Sequence, residues 1–328
     1  MAISAEKQVK GSTPTDQPTD EERTSIFMDA IRFNIVTGKG GVGKTLVSIL
    51  NGIQSAKRGR KTLICELNTS ESVSALLGTP ESNGQIISVS EDLSVVNIRP
   101  DEALMEYANL KLRVPSLSRL VFDNPLVRAL TEFVPGMSDL LMLGKAFNHE
   151  RETQKDGSKS WDQIIVDAPA TGHGITFLNL PDVISSAIPT GNMHEEAVLM
   201  SALLRDPTRT RIDVVTTPEP LPVQETIQLC DRLQKELSMT VGRLYVNRCI
   251  NSKIDANTRN AILQMNNQTN PCIDWLKEEF IHISAVESHV QRLQSLSIPM
   301  QIIPEIPSLL RGNLNTTEMD ILVEAANS

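Results

Sequence analysis

The segment Gly38-Lys39-Gly40-Gly41-Val42-Gly43-Lys44-Thr45 constrains this chain more than any other. It matches the pattern G-x-x-x-x-G-K-[ST] in full. Residues 32–37 (RFNIVT) form a short apolar run just before it. After it, Leu46, Ile49, Leu50 and Ile53 recur at helical spacing within residues 45–57. Residues 61–67 (KTLICEL) read as a second strand. Strand, glycine loop, helix and strand make a βαβ unit, which implies a parallel sheet with right-handed crossovers. Glycines let the backbone wrap a phosphate and point its N–H groups inward. The helix that follows adds the positive end of its dipole. In such a P-loop, Lys44 is placed to reach the β- and γ-phosphates of ATP, and the Thr45 hydroxyl to coordinate Mg²⁺. All eight residues from Gly38 to Thr45 are candidate nucleotide contacts.

The rest of the chain continues the pattern. Residues 163–167 (QIIVD), 212–217 (IDVVTT), 241–246 (VGRLYV) and 300–303 (MQII) are short apolar runs without alternation. That is expected of strands covered by helices on both faces. Helical stretches fall between them, including residues 222–237 and 258–265. The expected fold class is α/β: a P-loop NTPase with a mostly parallel sheet flanked by helices. Between residues 101 and 147 the alternation stops. Residues 101–112, 117–122, 126–133 and 137–147 read as consecutive helices, a helical insertion spanning about 101–150. Residues 149–159 (HERETQKDGSK) read as a polar loop back to the sheet. Residues 1–25 are polar and read as a disordered tail; residues 26–328 read as the ATPase domain.

Composition narrows the function classes. The formal charge of −9 argues against a nucleic-acid partner, which needs a basic face. No apolar run approaches the roughly 18 residues of a membrane span, and the N-terminus has no apolar signal region. The expected location is cytoplasmic. The four cysteines, Cys65, Cys230, Cys249 and Cys272, include no C-x-x-C pair. That argues against a structural zinc site and against a cluster of thiolates. An iron–sulfur role would need cluster-ligating cysteines, and none lies near Asp167 in sequence.

Asp167 ends an apolar strand, where an acid that holds Mg²⁺ through water would sit. The segment from it reads Asp167-Ala168-Pro169-Ala170-Thr171-Gly172-His173-Gly174-Ile175-Thr176-Phe177-Leu178-Asn179-Leu180-Pro181. Lys39, directly after the first glycine, marks a deviant Walker A loop. Together these features resemble the arsenite-pump and tail-anchored-protein-targeting ATPases, of the SIMIBI class. Their switch II reads roughly D-T-A-P-T-G-H-T-L-R-F-L-x-L-P. The resemblance covers residue 32 to the C-terminus and is loose within the insertion. It implies a dimer, in which Lys39 reaches the partner's phosphates. It also implies that Asn247 reads adenine, that Pro218 lies beside the nucleotide, and that Pro304, Glu305 and Ile306 lie over the base. His173 sits in switch II and is expected to brace it.

Switch I departs from the family. The family reads T-D-P-A-H-N, and its aspartate orients the attacking water. Here Asn68 falls at that position, within Glu66-Leu67-Asn68-Thr69-Ser70-Glu71-Ser72. An amide can position water but cannot take its proton. Hydrolysis is therefore expected to be slow, unless Glu66 or Glu71 substitutes or a heterodimeric partner supplies the acid. Lys39, Lys44 and Asn68 are the candidate catalytic residues. Three functions fit. One is a dimeric ATP switch, a homodimer or a heterodimer with a related ATPase, acting on a client or partner. Another is a regulatory nucleotide sensor paired with an active paralogue. The third is the catalytic subunit of an anion-efflux pump. In the insertion, Leu104, Met105, Met137, Leu140, Leu141, Met142 and Phe147 either pack its own core, as apolar helix faces usually do, or line a groove for a hydrophobic client.

Overall fold

The computed structural model describes residues 31–67, 71–112, 136–169, 174–250, 254–265 and 271–305. The tail at 1–25, Asn68, the helices expected at 117–122 and 126–133, His173 and Ile306 lie outside the described residues. Eight strands occur among those described: β1 (Phe33–Gly38), β2 (Thr62–Glu66), β3 (Ile87–Ser88), β4 (Leu93–Asn97), β5 (Gln163–Asp167), β6 (Thr210–Thr216), β7 (Val241–Cys249) and β8 (Met300–Pro304). They form one sheet in the order β3-β4-β2-β5-β1-β6-β7-β8. Only β3 runs antiparallel to its neighbour; the other pairs are parallel.

The helices are α1 (Lys44–Lys57), α2 (Ser72–Leu77), α3 (Pro100–Leu112), α4 (Met137–Arg151), α5 (Gly174–Ala187), α6 (Asn192–Arg205), α7 (Pro220–Lys235), α8 (Ala256–Gln264) and α9 (Pro271–Gln294). Strand residues alternate between two buried layers. Phe33 and Ile35 of β1 join a core with Leu143 of α4, Leu178 of α5, Leu204 of α6 and Val223 of α7. Val36 joins the opposite core, with Ile49 and Leu50 of α1. Both faces of each central strand are therefore dry, which is why the strands read as continuous apolar runs.

The order of the strands locates the site. From β1 the chain crosses to β2 on one side; from β5 it crosses over β1 to β6 on the other. The carboxyl ends of β1 and β5 thus flank the point where the winding reverses. Ligands of open α/β sheets bind in the crevice at such a point.

Two local readings need correction. Residues 149–159 are not all loop: α4 runs to Arg151, and Thr153 then bridges Lys159. Some of the polar residues there are paired within the fold. Glu150 is buried and accepts from the Arg209 guanidinium at 2.9 Å, and His149 Nδ1 lies 2.9 Å from Glu152 Oε1. Strand β4 also escapes the sequence pattern, because Leu93, Val95 and Val96 make a short run directly after the bends at 89–92. In the insertion, Met137, Leu140, Leu141, Met142 and Phe147 are buried in the main core, and Met105 is exposed.

Candidate functional site

The phosphate loop leaves β1 and enters α1. Gly41 and Gly43 have φ values of 83° and 98°, a left-handed conformation that side chains resist. A Cβ on Gly43 would lie 2.2 Å from Asn247 Nδ2. The glycine therefore serves both the turn and a close approach to β7. Asn247 Nδ2 donates to the Val42 carbonyl at 2.9 Å, tying the loop to that strand.

Inside the loop, a cavity of about 300 Å³ is lined by Gly41, Gly43, Lys44, Thr45, Leu67, Ser72, Asp167 and Ala168. Thr45 Oγ1 donates to Asp167 Oδ2 at 2.7 Å. Ser48, one turn further along α1, donates to Asp167 Oδ1 at 3.1 Å. Burial pushes the Asp167 carboxyl up to about 6, opposed by those two hydroxyls and by the Lys44 charge. Burial lowers the pKa of Lys44, and Asp167 opposes the shift. The Lys44 ammonium donates to the Lys39 carbonyl at 3.2 Å, so it folds back over its own loop. A glycine cradle, a buried ammonium and a hydroxyl–carboxylate pair match the donor set of a phosphate group with a hard divalent cation.

Glu66 lies beside Asp167 in the β2–β5 register. Its carboxylate is buried and accepts from the backbone N–H groups of Ser72 at 2.8 Å and Val73 at 3.2 Å. It thereby caps α2 from the end of the preceding strand. Burial pushes it up to about 7, with Asp167 adding to the rise and the two amides opposing it. Glu71 is engaged as well. Its carboxylate accepts from the backbone N–H of Ser82, from that of Asn83 at 2.8 Å, and from Arg99 at 3.3 Å.

The remaining expected contacts collect at the same end of the sheet. Pro218 follows β6 and is buried, Asn247 is on β7, Pro304 ends β8, and Glu305 donates its backbone N–H to the Cys249 carbonyl at 3.0 Å. Lys39 Nζ lies 2.8 Å from Glu225 Oε1 on α7. The part of the sequence most suggestive of thiol chemistry is dispersed: Cys65, Cys230 and Cys249 are buried on separate elements, and Cys272 is exposed. Burial pushes the Cys230 thiol up to about 12 and the Cys249 thiol up to about 11.

Comparison with known proteins decides the family. The sequence profile of the anion-transporting ATPases matches residues 31–191 and 190–297. The chain belongs to that family. ATPase BagA of Mycobacterium tuberculosis is 26% identical over 303 residues, covering 85% of this chain and 88% of the relative. An arsenical pump-driving ATPase of Escherichia coli is 28% identical over 214 residues, covering 60% and 36%. ATPase get3 of Schizosaccharomyces japonicus is 26% identical over 166 residues, covering 48% and 47%. Membership of this ATPase family agrees with the phosphate loop. No helix among the described residues is long and apolar enough to cross a membrane.

Sequence reasoning missed three site features. The Ser48 contact had a faint signal, since a serine three residues after Thr45 shares its helix face. The Glu66 cap and the Lys39–Glu225 pair had none, because both depend on which strand ends lie side by side.

Proposed function

We propose that this chain binds ATP with Mg²⁺ and acts as a slowly hydrolysing dimeric switch, a homodimer or a heterodimer with a related ATPase, coupling nucleotide state to a client or partner. The observation that carries the reading is the placement of Thr45, Ser48 and Asp167 beneath the glycine cradle. Thr45 would ligate the magnesium directly and Asp167 would hold one of its waters. Lys44 would leave the Lys39 carbonyl for the β- and γ-phosphates. Asn247 would serve the adenine while its amide braces the loop, with Pro218 and the Pro304–Glu305 turn around the base.

Slow turnover follows from how the acids are used. Asn68 carries no base, and Glu66 and Glu71 each hold backbone N–H groups of their own chain. Neither carboxylate lines the phosphate cavity, and a general base must lie within reach of the water it deprotonates whatever its pKa. The same observation favours a second reading, a nucleotide-sensing subunit paired with an active paralogue. An efflux-pump role draws on the names of relatives but finds no clustered thiols among the described residues. A client at the insertion would have to enter the cavity of about 270 Å³ beside Met193, because Leu140, Leu141 and Met200 of its lining are buried in the core.

Mass determination with Mg²⁺ and ADP, then with a non-hydrolysable ATP analogue, tests the switch, with turnover measured in parallel. The expected result is a dimer with the analogue and slow turnover. Nucleotide-independent monomers would contradict the dimer. Fast turnover that survives Asn68→Ala would contradict the slow switch.

A further inference from the structure

The signature lysine is already occupied within its own chain. Lys39 Nζ donates to Glu225 Oε1 at 2.8 Å, across 186 residues of sequence. The fold explains the meeting. β1 and β6 are neighbours, paired from Phe33↔Thr210 to Gly38↔Val215. They touch so closely at that end that a Cβ on Gly38 would lie 2.2 Å from the Val215 carbonyl oxygen. The phosphate loop leaves β1 and α7 is entered from β6, so the two segments start side by side. Pro222, Val223 and Thr226 are buried and seat α7 on the sheet. Glu225 lies on the flank of that helix, facing the loop. The Lys39 carbonyl is held as well, by Lys44.

A carboxylate on Lys39 has two effects on a phosphate that approaches from outside the chain. It cancels the lysine charge that would attract the phosphate, and it places a like charge beside it. We infer that Glu225 is a positioning residue that parks Lys39 in the nucleotide-free protomer, and that Lys39 must leave it to reach a partner's phosphates. The inference rests on the dimeric reading proposed above, with two copies of this chain. It assigns α7 a role in timing the dimer, because Lys39 is released only when phosphate outcompetes Glu225.

The pair is weak enough to break. The side chains are 36% and 41% exposed, and an exposed ion pair shifts an equilibrium by about two- to fivefold. Two pairs break per homodimer, so the total shift is about four- to twenty-five-fold.

The test is sedimentation of the full chain with Mg²⁺ and a non-hydrolysable ATP analogue. Glu225→Gln should tighten the dimer by about four- to twenty-five-fold, the range set by two surface pairs. The gain should shrink at high salt and vanish when Lys39→Gln is already present. A merely structural role for Glu225 would lower the melting temperature without this dependence on Lys39. If the wild type dimerises and Glu225→Gln leaves the dimer unchanged or weaker, the inference is overturned and the switch reading stands. If the wild type stays monomeric, both fall.

Discussion

The carboxyl ends of β5 and β2 lie side by side and each carries a buried acid, Asp167 and Glu66. Burial raises the pKa of both, to about 6 and about 7. Their partners differ in kind. Asp167 is held by the Thr45 and Ser48 hydroxyls, which can rotate away or turn a lone pair to a cation. Glu66 is held by two backbone N–H groups at the start of α2, which cannot be reassigned without unwinding that helix. On the proposed reading, the first acid is therefore the one that can turn to a metal's water. The other is a clamp that joins the end of β2 to α2 across the segment containing Asn68. Equal burial and similar titration do not imply equal roles; the freedom of the hydrogen-bond donors separates them.

The largest expected effect breaks this comparison directly. Asp167→Asn should weaken Mg²⁺-dependent nucleotide binding by about 10- to 100-fold, the usual cost of losing an outer-shell carboxylate. Glu66→Gln should change that affinity by less than about threefold, since one carbonyl oxygen still accepts from α2. Titration with labelled ADP, with and without Mg²⁺, measures both. Equal losses in the two variants would show that both acids serve the metal.

The pH dependence of stability comes next, at on the order of 2 kcal/mol. Unfolded, both acids ionise near 4. Folded, burial keeps their protons on up to about 6 for Asp167 and about 7 for Glu66. Between these limits the folded chain binds more protons than the unfolded one, so stability without nucleotide falls as pH rises. The burial penalty is absent below about 4 and complete above about 7. Magnesium should reverse the trend at Asp167 by favouring its ionised form. Melting at pH 5.5 and 7.5, with and without Mg²⁺ and ADP, checks the sign. A melting temperature that rises with pH in the nucleotide-free chain would refute the burial argument.

Legibility in the sequence divides along the same line. Gly38–Thr45, β1 and Asp167 could be read because each is a local pattern: a spaced glycine–lysine motif, or an acid ending an apolar run. The role of Lys39 could be suspected from its position but not its partner, because Glu225 reaches it only through the β1–β6 pairing. Glu66 looked like a spare acid. That it caps α2 depends on where the end of β2 and the start of α2 lie in space, which composition does not reveal. The insertion apolars were open to two uses, and only packing shows that Met137, Leu140, Leu141, Met142 and Phe147 belong to the core. Residues 149–159 looked like loop because His149 and Glu150 are polar, yet both are buried and have partners.

Clamp loss gives a smaller effect than the pH change. Glu66→Ala removes an acceptor from the first turn of α2, at about 0.5–2 kcal/mol by analogy with a lost helix cap. Part of this is offset because a buried carboxylate is also removed. Chemical denaturation should show Glu66→Ala less stable than Glu66→Gln at pH 7.5. The reverse order would mean that relief of burial outweighs the cap.

The smallest effect separates the two hydroxyls on Asp167. Thr45 and Ser48 hold opposite oxygens of one carboxylate at 2.7 and 3.1 Å. If Thr45 turns to magnesium when nucleotide binds, Ser48 alone keeps Asp167 oriented toward the metal's water. Ser48→Ala then costs one hydrogen bond, about 0.5–1.5 kcal/mol, and should weaken Mg²⁺-nucleotide affinity by about two- to tenfold. Thr45→Ser keeps the oxygen and loses only a methyl group, so its affinity should fall by less than that. Binding titrations of the two variants at fixed Mg²⁺ decide between them. A larger loss in Thr45→Ser than in Ser48→Ala would place the metal's demand on the shape of the Thr45 side chain rather than on the orientation of Asp167.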